Sequence, residues 1–247
     1  MKIECKNLSL DFEEKTNKLI CDGEEVESSV RRLNEMKNVL FNKNFINRGN
    51  QNDILYYMFR GTGYGKNSPV FDAHTIRYDI TVIMPYDLGG EFNKTEGHYH
   101  PIAEGKLSFA EIYEILSGEA TYLLQKDNGD GSFDVKVVSA KAGDRVIMPP
   151  NYGHISINTG EEPLIEANLV NSTFQADYKS IAKMGGGALY FMRNRNVLLN
   201  RNYEKLSISY EEATKIDFLD YNYPTLYDEF IAHPEHFEFL NHPSLLK

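Results

Sequence analysis

From residue 74 to residue 170 the chain is a succession of short segments rich in β-branched and aromatic residues: HTIRYDITVIMP, EIYEIL, ATYLLQ, DVKVVSA, RVIMP, HISIN and LIEANLV. Between them stand LGGEFN, LSGE, KDNGDGS, KAGD, PPNYG and NTGEEP, each supplying the Gly, Pro, Asn or Asp that a tight turn uses. Short strands at regular spacing with turns between them constrain the chain to an all-β class, a sandwich or a closed barrel.

The flanks read differently. Residues 1–27 are polar and carry little pattern. SSVRRLNEMKNVLFN (28–42) places Val30, Leu33, Met36 and Leu40 at helical spacing, with Ser28 or Ser29 as a cap, and predicts a short amphipathic helix. YPTLYDEFIAHPEHFEFLNHPS near the C-terminus predicts two short helices broken before Pro234, with Leu226, Phe230, Phe237 and Leu240 packing on the barrel. The expected organisation is an N-terminal extension (1–53), a barrel (54–203) and a C-terminal helical extension (204–247).

A formal net charge of −10 argues against nucleic-acid or anionic-membrane partners, which need a basic surface. Cys5 and Cys21 show no CxxC spacing and fit a reduced pair in the cytosol. The opening MKIECKNLSLDFEEK has acids where a signal peptide needs an apolar core, and no 18-residue apolar run occurs. A cytoplasmic protein without membrane contact is the expectation.

Chemistry enters at KTEGHYHP (94–101). On extended backbone, residues i and i+2 share a face, so His98 and His100 point together and Tyr99 away. Glu111 and Tyr113 share a face of EIYEIL by the same rule, and His154 opens HISIN. Taken singly, each has a plain alternative. A lone strand histidine is more often a packed or rim side chain, a lone strand glutamate a solvated one, and a lone tyrosine a core one. Together, three imidazoles and one carboxylate on neighbouring strands make a mixed N/O donor set. Such a set suits Fe, Mn, Ni or Zn better than Ca or Mg. His74, His233, His236 and His242 lack a partner at clear ligand spacing and are read as structural.

GHYH, the following Glu, and AGDRVIMPPNYGHISINTGEEPL resemble the cupin superfamily. The closer likeness is to the cupin-type (archaeal-type) glucose-6-phosphate isomerase family, in SSVRRL, TVIMP, KTEGHYH, AEIYEILSGEATYLLQ, VIMPPNYGHISINTGEEPL and DYKSIAKMG. It runs from about residue 28 to about residue 203. The resemblance implies a double-stranded β-helix (jelly-roll) barrel with short flanking helices, and one divalent metal ion on His98, His100, Glu111 and His154. It implies substrate contacts at Thr81, Thr95, Gly97, Tyr113, Tyr152 and Tyr178. It favours Glu111 as catalytic base, with Tyr113 able to shuttle protons between sugar oxygens. The implied reaction interconverts glucose 6-phosphate and fructose 6-phosphate, and the implied assembly is a homodimer joined through SSVRRL and the first strands.

The chain departs from the family pattern at PIAEGKLSFA, which lengthens the path from His100 to Glu111, and beyond Glu204. It also has Val170 and Ala176 where the family tends to carry Tyr and His. Arg77 and Lys94 are expected to face solvent. The same donor set also serves dioxygenases and decarboxylases, and a sugar-binding cupin without catalysis is a third possibility.

Overall fold

In strand β10 (Glu111–Ser117), side chains alternate between two buried faces, so neither face meets water. Tyr113 and Ile115 join one apolar cluster and Ile112 joins another. The computed structural model describes residues 1–3 and 5–246.

Four short N-terminal strands, β1 (Lys2–Ile3), β2 (Leu10–Glu13), β3 (Lys18–Cys21) and β4 (Glu24–Val26), make a small antiparallel sheet. The barrel's front sheet adds β5 (Ser29–Arg32), β6 (Ile54–Phe59) and β7 (Ile76–Ile83), with helix α1 (Ser68–His74) between the last two. A small hairpin, β8 (Ile102–Glu104) and β9 (Leu107–Ser108), carries the extra length between His100 and Glu111. After β10 come β11 (Glu119–Asp127), β12 (Ser132–Lys141), β13 (Arg145–Met148), β14 (Gly153–Asn158) and β15 (Leu164–Asn171). Helix α2 (Lys179–Lys183), β16 (Leu189–Phe191), β17 (Val197–Leu199), β18 (Lys205–Glu212) and helix α3 (Leu226–Ala232) complete the chain. The front sheet runs β13-β10-β15-β7-β6-β5 and the back sheet β14-β11-β12-β18. From β10 onward the chain crosses repeatedly between the two sheets, giving the all-β double-sheet barrel expected of a cupin, with short helices at its margins.

One core reaches into the space between the sheets, where the Tyr113 and Tyr122 rings pack with centroids 5.5 Å apart, and continues on the other face of the back sheet through Leu123, Ile155 and Ile157. The second lies outside the front sheet. There Ile76, Tyr78, Ile80 and Val82 of β7, with Ile165, Ala167 and Leu169 of β15, are covered by the C-terminal segment. Leu226, Phe230, Phe237 and Leu240 are each at most 1% exposed, as their sequence positions led us to expect. Burial of each such side chain contributes roughly 1.5–3 kcal/mol before entropy is counted. Thr225 caps α3 by accepting the Asp228 N–H, and Pro234 starts a separate 3-10 turn (Pro234–Leu240).

Because the apolar face of β7 and β15 points outward to this second core, their polar positions are forced into the barrel. Arg77, Asp79 and Thr81 alternate inward on β7, and Glu166, Asn168 and Val170 do so on β15. The usual rule of polar side chains outside is inverted here, and a polar cavity results.

Two expectations need correction. The helix expected over 28–42 does not form. Ser29–Arg32 is strand β5, paired with β6 from Ser29 opposite Met58 to Arg31 opposite Tyr56. A sheet edge with unpaired donors and acceptors outweighs a weak helical propensity. Only a 3-10 turn, Leu33–Met36, follows. It still buries Leu33 and Met36, because residues i and i+3 eclipse in that geometry. The C-terminal extension is likewise not purely helical. KLSISYEE forms β18, parallel to β12 from Ser132 opposite Lys205 to Ser139 opposite Glu212.

Candidate metal centre and cavity

The segment carrying His98 is pinned to β14 by a reciprocal pair of backbone bonds. His98 N–H donates to His154 O at 3.3 Å and His154 N–H to His98 O at 3.0 Å. Two glycines make this approach possible. Gly97 has φ +80°, and a Cβ there would meet Ile155 Cγ1 at 2.4 Å; a Cβ on Gly153 would meet the Tyr99 ring at 2.6 Å. Tyr99 therefore packs on β14, away from its neighbours, and its hydroxyl accepts from Gln125 at 3.1 Å. His98 and His100 point the other way, with their Nε2 atoms 3.2 Å apart.

Glu111 and His154 close the group. Glu111 Oε2 lies 3.3 Å from His100 Nε2 and 3.1 Å from His154 Nε2. One donor atom from each of His98, His100, Glu111 and His154 falls within 4.8 Å of all the others. Glu111 Oε2 and His154 Nε2 are buried polar atoms without a hydrogen-bond partner, a costly state that a shared cation would relieve. The supporting contacts fit a ligand role. His100 Nδ1 lies 3.0 Å from Phe109 O, which fixes the proton there and turns the Nε2 lone pair inward. Asn168 Nδ2 donates to Glu111 Oε1 at 2.6 Å. Burial, with His154 and His100 adding to it, holds His98 well below the usual imidazole range, and burial also lowers His154. Burial works to raise Glu111, but His100 and His154 outweigh it and hold the carboxyl well below the usual range. Depressed His98 and His154 facing one carboxylate suit a divalent metal, which binds neutral imidazole and ionised carboxyl. The residues fit the group.

Above the four donors opens a cavity of about 510 Å³. Thr81, Thr95, Gly97, Tyr113 and Tyr178 all line it, as do Val170 and Ala176. Tyr152 does not. The turn 149–152, with Asn151 at φ 69°, breaks strand alternation before His154, and Tyr152 packs against the core from outside the cavity. A substrate contact from Tyr152 is not among those this cavity offers.

A family model described as glucose-6-phosphate isomerase matches residues 30–207. The chain belongs to the glucose-6-phosphate isomerase family of enzymes. Glucose-6-phosphate isomerase of Thermococcus litoralis is 30% identical over 183 residues, covering 72% of this chain and 88% of that protein. The Pyrococcus furiosus enzyme is 29% identical over 178 residues, covering 70% and 86%. Among solved structures, an oxalate decarboxylase of Lactobacillus farciminis in its formate complex aligns over 50% of this chain and 30% of its own, with 25% identity and a TM-score of 0.36. The part of the chain matched to the isomerase family contains all four donors and the whole cavity. The α3 segment lies outside it.

Several residues of this family member's cavity escaped the sequence analysis: Arg60, Asp79, Glu166 and Asn168. The signal was present as alternation in IRYDIT and IEANLV. Reading it required knowing that the apolar positions face a second core. Arg77, expected in solvent, lines the cavity with its Nε 2.8 Å from Asp79. Lys94 is buried against Glu91 and donates to Val39 O at 2.8 Å. His233 and His236, read as unpaired, stack with ring centroids 5.0 Å apart, because the 3-10 turn superposes i and i+3.

Proposed function

We propose that the protein is a metal-dependent aldose–ketose isomerase interconverting glucose 6-phosphate and fructose 6-phosphate. One divalent transition metal ion (Fe, Mn, Ni or Zn) would be held by His98, His100, Glu111 and His154. The observation that carries this reading is the convergent donor set with orphaned Glu111 Oε2 and His154 Nε2 at the floor of a polar cavity, within the family-matched region. The cavity falls in the usual size range for small-molecule sites.

When bound, the ion supplies Lewis-acid polarisation of the sugar carbonyl. The chain's own residues do the rest. Thr81, Thr95, the Gly97 amide and Tyr178 line the walls with uncharged donors and a ring, and the Arg77–Asp79 ion pair lies beside them. The Tyr113 hydroxyl, pushed well up by burial and by Glu111, stays protonated and can pass a proton between adjacent sugar oxygens. Glu111 is a ligand whose Oε1 is engaged by Asn168 and whose Oε2 faces the imidazoles.

The proposed assembly is a cytoplasmic homodimer. Strand β5 is an edge of the front sheet, which offers a second copy unpaired backbone groups. Among the described residues no helix is long and apolar enough to cross a membrane. Sedimentation as a monomer at micromolar concentration would remove the dimer. The function is tested by a coupled assay of fructose 6-phosphate conversion, with free fructose as control and oxygen uptake recorded in parallel. Conversion of the phosphorylated sugar alone supports the proposal. Oxygen consumption, or tight sugar-phosphate binding without turnover, contradicts it.

A further inference from the structure

The cavity holds a second carboxyl group that the metal centre does not use. Glu166 lies on β15, opposite Ile115 of β10 and Thr81 of β7, and is 1% exposed. Its Oε2 accepts from the Tyr122 hydroxyl at 2.9 Å. It makes no ion pair among the described residues, and its environment differs at every point from that of Glu111.

We infer that Glu166, and not Glu111, takes and returns the proton that moves between C1 and C2; the inference rests on the isomerase reading above. Position supports it first. Asn168, which holds Glu111, and Glu166 are successive inward positions on β15, separated by roughly 6–7 Å at their Cα atoms from strand rise. Glu166 lines the same cavity as the four donors, so a sugar seated over them can present C1 and C2 to its carboxyl. Chemistry supports it second. A carboxylate committed to a cation is a poor base, whereas one poised near the working pH is a good one. Burial pushes Glu166 up to about 8, against the lowering hydrogen bonds of Ser156 and Tyr122, and Glu111 adds to the rise. The groups that face it are Glu111 and Tyr113 from β10, Tyr122 from β11, Ser156 from β14 and Thr81 from β7. The charges of Arg77 and Asp79 pair with each other farther along β7. Two carboxyls in one cavity, pushed in opposite directions, take different roles.

The step balances without an oxidant or reductant. The Glu166 carboxylate takes the C2 proton of the aldose, the C–H electron pair becomes the C1=C2 bond, and the carbonyl pair moves onto O1. The O2 proton passes to O1 through the Tyr113 hydroxyl. Glu166 then returns its proton to C1, and the C2 carbonyl forms. The reverse order runs from ketose to aldose.

Three readouts test this, the first two on the metal-loaded protein. Glu166→Gln keeps an oxygen for Tyr122 and should lower kcat by about 10²–10⁴-fold, with metal content and KM little changed. Tyr122→Phe removes a hydrogen bond that favours the carboxylate, so the acid limb of its kcat–pH profile should move to higher pH. Infrared difference spectra of metal-free wild type should show a protonated carboxyl at pH 7 that metal-free Glu166→Gln lacks. A Glu166→Gln enzyme within about threefold of wild type, an unmoved limb in Tyr122→Phe, or a spectrum without that carboxyl would overturn the inference. Wild type that leaves fructose 6-phosphate unconverted would instead sink the isomerase reading, and the infrared result would still report on Glu166.

Discussion

Glu111 and Glu114 stand three residues apart on one strand, both almost fully buried, and their surroundings could hardly differ more. Glu114 faces outward into a completed ion cluster. Arg145 Nε lies 3.1 Å from Glu114 Oε1, Arg145 Nη1 lies 2.7 Å from Glu229 Oε2, and the Leu226 N–H donates to Glu114 Oε2 at 2.9 Å. Arg145 also donates to Tyr223 O, so strands β10 and β13 are bolted to the C-terminal segment. Glu111 faces inward to three imidazoles and keeps an oxygen without a hydrogen bond. Burial alone therefore says nothing about role. A buried charge whose partners are complete belongs to the architecture, while one left incomplete beside a cavity belongs to the chemistry.

The largest expected effect breaks the outer cluster. Arg145→Met leaves Glu114 and Glu229 buried without their cation and should cost about 3–5 kcal/mol of stability by denaturant melts. A loss under about 1 kcal/mol would mean that the outer cluster is no architectural element. Glu111→Gln is the inner counterpart. It should leave the melt near wild type yet lower turnover by more than the roughly 10–100-fold that losing a ligand's supporting partner costs. If it unfolds as readily as Arg145→Met, the contrast between the two faces collapses. Next in size, Asn168→Leu removes the support of Glu111 Oε1 and should weaken metal affinity by about 10–100-fold, read by competition with a chelator. Unchanged affinity would make Asn168 a bystander.

The smallest effect is a slope. In the metal-free protein, folded Glu166 titrates at about 8 and folded Glu114 at about 7, against a reference of 4.5 for each. Between these values the folded state holds protons that the unfolded chain has released. Their contribution to stability is complete below about pH 4.5 and is lost as pH rises through 7 and then 8. The decline per group is at most about 1.4 kcal/mol per pH unit. Glu166→Gln should flatten the upper part of this decline and leave the Glu114 part. A stability slope between pH 7 and 8 that is the same in metal-free wild type and Glu166→Gln would contradict the Glu166 assignment.

How much of this was legible beforehand depended on whether a residue's role is local. The four donors were readable because strand alternation fixes which side chains converge, and two glycines mark the close approach. The C-terminal helices were readable from Leu226, Phe230, Phe237 and Leu240, since amphipathic spacing and Pro234 are local signals. Strand β5 was misread because its pairing partner, β6, lies beyond two 3-10 turns and the loops around them. Glu166, Asn168 and Asp79 were missed for a related reason. Their alternation is plain, but its direction depends on the C-terminal segment covering the outer face, a tertiary fact. Tyr152 lies outside the cavity lining because a left-handed Asn151 interrupts the alternation that carries His154 inward.

The central claim, that the inner face of the barrel is a metal-dependent isomerase site, meets its most direct test in metal-stripped protein assayed for fructose 6-phosphate conversion. Mn, Fe, Ni and Zn would be returned one at a time, with His154→Ala beside wild type. The account predicts negligible conversion by stripped protein and recovery with at least one of these ions. It also predicts that His154→Ala requires more metal for partial recovery. Full conversion by stripped protein, or recovery in His154→Ala at the same metal concentration as wild type, would contradict it.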